Sequence, residues 1–278
     1  MPTVYQYTTE NLAIGDVYGG HDPNRYYLHE YFEKVPSLNA DIEKKTLEDD
    51  GVTTLFANLN KANKSFEIIV SSSGTCGFNT TSGISLTTNN TDTSSVIVLP
   101  HLDALQTAWK EIFWKTSSQV HWSCAVSIDN NSNVIFWAGL KLTNTKTLAT
   151  DDDQAYFTFD KPGKSGNDFT NTGNLHFVYS VGGTDYITDL GIVVAINTIY
   201  KLRIEIDSNR QIQVYVNDVL YGLATTSDAT GTTALNSLVK SLALTDNINL
   251  KPYVGVETGE AAAKTLNLCY EHISKAIS

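Results

Sequence analysis

Tyr200-Lys201-Leu202-Arg203-Ile204-Glu205-Ile206-Asp207 is the stretch that decides the fold. Successive side chains of a strand point to opposite faces. Tyr200, Leu202, Ile204 and Ile206 therefore share one side, and Lys201, Arg203, Glu205 and Asp207 the other. A polar turn, Ser208-Asn209-Arg210, follows, and Ile212, Val214 and Val216 then alternate with Gln211, Gln213, Tyr215 and Asn217. This is the pattern of a hairpin with one buried and one wet face, closed by the next turn at Asn217-Asp218.

Outward from this hairpin the same alternation returns at Phe136, Ala138, Leu140 and Leu142, at Phe157 and Phe159, and near Phe177 and Tyr179. It continues at Val254 and Val256 and at Leu266, Leu268 and Tyr270, while Gly182-Gly183 reads as a hairpin turn. Many short strands separated by turn signals predict a sandwich or barrel. Helical segments do not alternate with the strands, which argues against a parallel α/β fold. Two helical interruptions are expected, one through Leu102, Leu105, Trp109 and Ile112 and one through Leu235, Leu238, Val239 and Leu242.

The first sixty residues have a different character. Tyr5, Tyr7, Tyr18, Tyr26, Tyr27 and Tyr31 crowd this region. After Asp22-Pro23, the apolar positions Leu28, Tyr31, Phe32 and Val35 fall at helical spacing, with Glu30 and Lys34 four apart and Pro36 as a stop. A second short helix is expected at Asp41–Lys45. The organisation predicted is an arm, residues 1–60, with short helices, followed by a sandwich over residues 61–278. An apolar stripe with aromatic neighbours suits a partner surface. Tyr5, Tyr7, Tyr18, Tyr26, Tyr27, Leu28, Tyr31 and Phe32 are therefore the candidate partner-binding residues, with an arm folded back on its own sandwich as the competing reading.

Composition narrows the function. The chain of 278 residues is 41% hydrophobic and only 18% charged, with a formal charge of −11. Acidity without any Lys/Arg run argues against nucleic acid as a partner. No stretch has the apolar length of a membrane helix, and the start has no basic-then-apolar leader pattern. Cys76, Cys124 and Cys269 are far apart and odd in number, so free thiols of a reducing cytoplasm are expected.

Candidate chemistry is sparse. Glu205 and Asp207 point the same way on one strand, as paired carboxylates of a glycosidase would, but Ser208 to Gln211 supply no second Glu, and an exposed charged face explains both. Asp151-Asp152-Asp153 is an acidic loop without the spacing of a calcium site. Trp109, Trp114, Trp122 and Trp137 are either sugar-stacking platforms or core, and packing is the ordinary fate of tryptophan. The six histidines have no zinc spacing. No catalytic residue, metal site or cofactor is predicted, and the chain is expected not to be an enzyme.

Resemblance adds to this reading. Tyr200 to Gly222 resembles the strand–turn–strand of concanavalin-like and laminin-G-like jelly rolls, with Asn217-Asp218 where those sequences carry Asn-Gly. Residues 136–145 (FWAGLKLTNT), 149–159 (ATDDDQAYFTF), 180–192 (SVGGTDYITDLGI) and 250–268 (LKPYVGVETGEAAAKTLNL) are similar to structural proteins of marine bacteriophages. The expectation is an all-β, antiparallel, concanavalin-like jelly-roll β-sandwich with a helical N-terminal arm. The implied function is that of a virion protein, assembled in the host cytoplasm as a capsid decoration or cement subunit. Its implied partners are major capsid or tail subunits and copies of itself. The alternative is a lectin-like module for host-surface glycans.

Overall fold

The computed structural model describes residues 22, 24–32, 35–38, 66–80, 83–100, 113–143, 151–164, 169–228, 230–233 and 239–277. Among them the strands run, in chain order, β1 (Arg25–Glu30), β2 (Ser37–Leu38), β3 (Phe66–Ser71), β4 (Thr75–Phe78), β5 (Ile84–Thr87) and β6 (Ser95–Pro100). Then come β7 (Trp114–Lys115), β8 (His121–Ile128), β9 (Val134–Lys141), β10 (Gln154–Asp160), β11 (Asn174–Val181) and β12 (Thr184–Val193). The last are β13 (Tyr200–Ile206), β14 (Ile212–Val216), β15 (Val219–Tyr221), β16 (Thr232–Thr233), β17 (Asn249–Thr258) and β18 (Thr265–Ala276).

They form two sheets. Sheet A has the order β15-β14-β13-β8-β18-β5-β4, with β1 also on β18. Sheet B has the order β16-β12-β11-β10-β9-β17-β6-β3-β2, with β7 on β17. Pairing is antiparallel except at the short pairs β2–β3 and β12–β16. Neighbours in space are far apart in sequence, β8 lying between β13 and β18 and β17 between β9 and β6, as in a jelly roll. The described residues form an all-β jelly-roll sandwich of two largely antiparallel sheets.

The hairpin reading holds in detail. β13 alternates buried and half-buried from Tyr200 to Ile206, and β14 repeats the pattern. Leu202, Ile204, Ile206, Ile212, Val214 and Val216 meet Phe136, Ala138, Leu140, Phe157, Phe177, Val254 and Val256 of sheet B in one core. Each such side chain contributes about 1.5–3 kcal/mol by leaving water, and this inner layer holds the sheets together.

The N-terminal helix expected from Leu28, Tyr31, Phe32 and Val35 is not formed. Arg25–Glu30 is a strand, paired in register from Arg25 opposite Ala276 to Glu30 opposite Glu271. Leu28 and Phe32 are buried in the sandwich's own core. The helical spacing misled because both sides of this strand carry aromatics, which masks a period of two. Its partner also lies at the other end of the sequence. Asp41–Lys45 and Leu102–Ile112 lie outside the described residues, as do Leu235 and Leu238, and Val239 and Leu242 sit in irregular chain.

β18 is the hinge of sheet A's construction. One edge pairs with β8, while the other takes β5 over Thr265–Leu268 and β1 over Glu271–Ala276, end to end. The register against β8 slips between Leu268 and Tyr270, leaving Cys269 as a bulge. Gly83, at φ +72°, fits against that bulge, where a Cβ would lie 2.1 Å from the Leu268 carbonyl oxygen.

Candidate functional site

The outer face of sheet A is built from the polar half of each alternating strand. Register places Tyr215, Arg203, Ser123, His272 and His29 in one row across β14, β13, β8, β18 and β1. Gln213, Glu205, His121, Ser274 and Tyr27 form the next row. Five strands at the usual spacing make a belt about 19 Å wide. No aliphatic side chain interrupts either row.

The belt is ordered by its own contacts. The Arg203 guanidinium lies 3.9 Å from the Tyr215 ring centroid and 2.8 Å from Glu205 Oε1, yet its buried Nε has no hydrogen-bond partner. Arg25 donates from Nε and Nη2 to Ser274 Oγ, both at 3.1 Å, and from Nη2 to the Gln119 carbonyl at 2.6 Å. His29 stacks between Tyr27 and Tyr31, at 5.7 and 6.4 Å, and its Nδ1 lies 2.8 Å from His272 Nδ1. Tyr31 reaches Tyr270 at 6.4 Å.

Both inner histidines are held neutral. Burial, then the neighbouring His29, His121 and Arg25, pushes His272 down to about 3. Burial, then Arg25 and Arg203, pushes His121 down to about 4. Burial, with Glu205 next, raises the Tyr215 phenol. At neutral pH the belt therefore offers the neutral imidazoles of His121 and His272 and the Tyr215 phenol, beside hydroxyls, the Glu205 carboxylate and the guanidinium groups of Arg203 and Arg25. These are donors and acceptors beside flat ring faces, the set that a polyhydroxylated ligand requires.

The outer face of sheet B differs. Trp137, Tyr156, Tyr253, Lys141, Gln154, Thr158, His176 and Asp189 lie on it and are all buried. Trp137 stacks on Tyr253 at 6.0 Å, Phe169 covers His176 at 4.1 Å, and Asp189 accepts from Asn171 and Asn174. Two glycines make the aromatics fit. A Cβ on Gly139 would lie 2.5 Å from the Tyr156 backbone, and one on Gly255 would lie 2.7 Å from the Trp137 indole nitrogen. Trp137 Nε1, Lys141 Nζ and His176 Nε2 are buried here without hydrogen-bond partners.

The structure scatters the sequence-predicted residues. Tyr5, Tyr7, Tyr18 and Trp109 lie outside the described residues. Trp114 and Trp122 are core, Trp122 donating to Glu271 at 2.9 Å, and Trp137 is on sheet B's enclosed face, so these three make no shared sugar platform. Tyr26 is 39% exposed beside Trp114, and Tyr31 is 54% exposed. Of the expected partner-binding set, Tyr27 and Tyr31 stand on or beside the belt, while Leu28 and Phe32 are buried. Glu205 is on the belt. Asp207 instead closes the turn, accepting from the Asn209 and Gln211 amides and from Lys240. Asp151 and Asp153 are buried, and among the described residues no three His, Cys, Asp or Glu side chains are placed to hold a metal. Sequence reasoning missed His29, His121, His272, Arg203 and Tyr215. Alternation marks them as face residues, but only the strand order brings them together.

Comparison with known proteins gives fold-level likenesses only. No family model and no curated protein matches the chain, so the bacteriophage resemblance gains no support there. Among solved structures, a protein of unknown function from Shewanella oneidensis MR-1 is similar at 10% identity and TM-score 0.47, over 99% of this chain and 97% of that one. The β-glucanase of Bacillus licheniformis is similar at 11% identity and TM-score 0.46, over 77% and 94%. Peanut lectin is similar at 10% identity and TM-score 0.47, over 91% and 99%. The description as a sandwich rests on the sheet order and register given above.

Proposed function

We propose that this chain is a carbohydrate-binding module that meets a glycan on the outer face of sheet A without cleaving it. The observation that carries the reading is the row Tyr215–Arg203–Ser123–His272–His29, half-buried, free of aliphatics, and containing an unpartnered Arg203 Nε. Aromatic faces stack on the C–H side of a sugar, and fixed donors and acceptors read its hydroxyls. Glycoside hydrolysis needs two carboxyl groups across one bond. Within the two rows Glu205 is the one carboxylate, already paired with Arg203, and Asp207 is committed to its turn. This supports binding without turnover. A virion setting, with host-surface glycans as ligand, is carried by the sequence blocks alone.

The test is to pass the purified chain over a broad glycan array and titrate any retained glycan calorimetrically. Arg203→Ala and Tyr215→Ala should each weaken binding about tenfold or more. An array without a retained glycan, or one bound equally by Arg203→Ala, sinks the reading.

A further inference from the structure

At one corner of sheet B's enclosed face, Lys141 ends β9 with its side chain 1% exposed. Its ammonium nitrogen lies 5.2 Å from the Tyr156 ring centroid and 5.7 Å from that of Tyr253. Its nearest charged partner is Asp151 Oδ2 at 3.5 Å, a contact without hydrogen-bond geometry, and Nζ has no other hydrogen-bond partner. An ion pair this dry and this loose recovers little of what it costs to strip both charges of water. Burial lowers the Lys141 pKa against the opposing pull of Asp151, and so favours the free amine.

Asp151 is held for attack. Thr143 donates its backbone N–H to Asp151 Oδ2 at 3.2 Å and its hydroxyl to Oδ1. Donors on both oxygens polarise the carboxyl carbon, as an oxyanion hole does. A second acid, Asp185, lies three strands away from Lys141 along the same cross-strand row. Asp185 is raised by burial, and Ser180 Oγ, which itself receives Gln154 Nε2 at 2.9 Å, donates to it at 2.5 Å. Lys141, Gln154, Ser180 and Asp185 form one cross-strand row.

We propose that Lys141 and Asp151 are the two halves of an intramolecular isopeptide bond. Lys141 Nζ attacks Asp151 Cγ, an N–C bond forms and a C–O bond breaks. The nitrogen of the free amine gives up one hydrogen, and the departing hydroxyl of the carboxylic acid leaves with it as water. That hydrogen passes directly from nitrogen to the leaving oxygen within the pair. No oxidant or cofactor enters the balance, and a site closed to water favours condensation over the reverse reaction. The product is an amide where the Lys141–Asp151 contact stood, tying the end of β9 to the entry of β10.

The experiment is intact mass spectrometry of the full chain after denaturation, followed by fragmentation of a protease digest. The wild type should weigh less than its sequence by one water, about 18 Da, with the peptides of Lys141 and Asp151 joined. Asp151→Ala should show the full mass of its own sequence. A wild type at full sequence mass overturns the proposal. So does a loss of water with Lys141 recovered in an unlinked peptide.

Discussion

The outer faces of the two sheets present the same pleat to opposite conditions. On sheet A, Arg203 contacts both Glu205 and Tyr215, and these three and His121 all stay half-buried. On sheet B, Trp137, Lys141, Tyr156, His176 and Tyr253 are withdrawn from water, and three polar atoms among them lack partners. A buried polar group must be matched inside the protein, whereas a half-wet one is matched by solvent. One face is thus free to specialise for a ligand. The other is bound by packing, with glycines at 139 and 255 cut to fit their aromatic neighbours.

The largest expected effect asks whether enclosure or sheet membership governs a polar group. Glu271 belongs to sheet A but lies inside it, 1% exposed, accepting from Trp122. Burial first, and Glu30 opposite it, pushes its carboxyl up to about 8, against the Trp122 hydrogen bond that favours charge. The folded state then holds a proton that the unfolded state releases near pH 4.5, so stability falls as pH rises from there through 8. Glu271→Gln keeps an acceptor for Trp122 and removes that slope. Urea titrations should show the variant gaining on the wild type by on the order of 4 kcal/mol between pH 4.5 and pH 9. Parallel curves would mean that enclosure does not set this proton.

Next in size is the closed face itself. Gly255→Val puts a branched side chain where even a Cβ would lie within 2.9 Å of three atoms of the buried Trp137 indole. A loss of about 3 kcal/mol is expected, read as a fall in melting temperature. The smallest effect belongs to the open face. Arg203→Ala removes a surface pair with Glu205 and should change stability by less than about 1 kcal/mol, while costing glycan affinity. If Arg203→Ala unfolds the chain as readily as Gly255→Val, the contrast between the faces disappears.

The same contrast explains what was legible. Tyr200–Ile206 and Ile212–Val216 were readable because water on one side forces polar residues into every second position. Along Val134–Lys141 and Gln154–Asp160 every residue is buried, so Trp137 carries no sign of which layer encloses it. Trp122 was assignable in principle, since Cys124, Val126 and Ile128 share its phase. β1 was not. Its pattern is blurred by Tyr27 and His29 on the outer side, and its partner Ser274 is 247 residues from Tyr27 (274 − 27). The belt was the least legible feature, because five strands contribute to it and their order follows from topology.

The placement of β18 also constrains how the molecule is made. It lies inside sheet A, between β8 on one edge and β5 and β1 on the other. A ribosome must therefore deliver Thr265–Ala276 before Arg25–Glu30 has anything to pair with. Until then β1 waits as an unpaired ribbon, and the earliest described strand is among the last to dock.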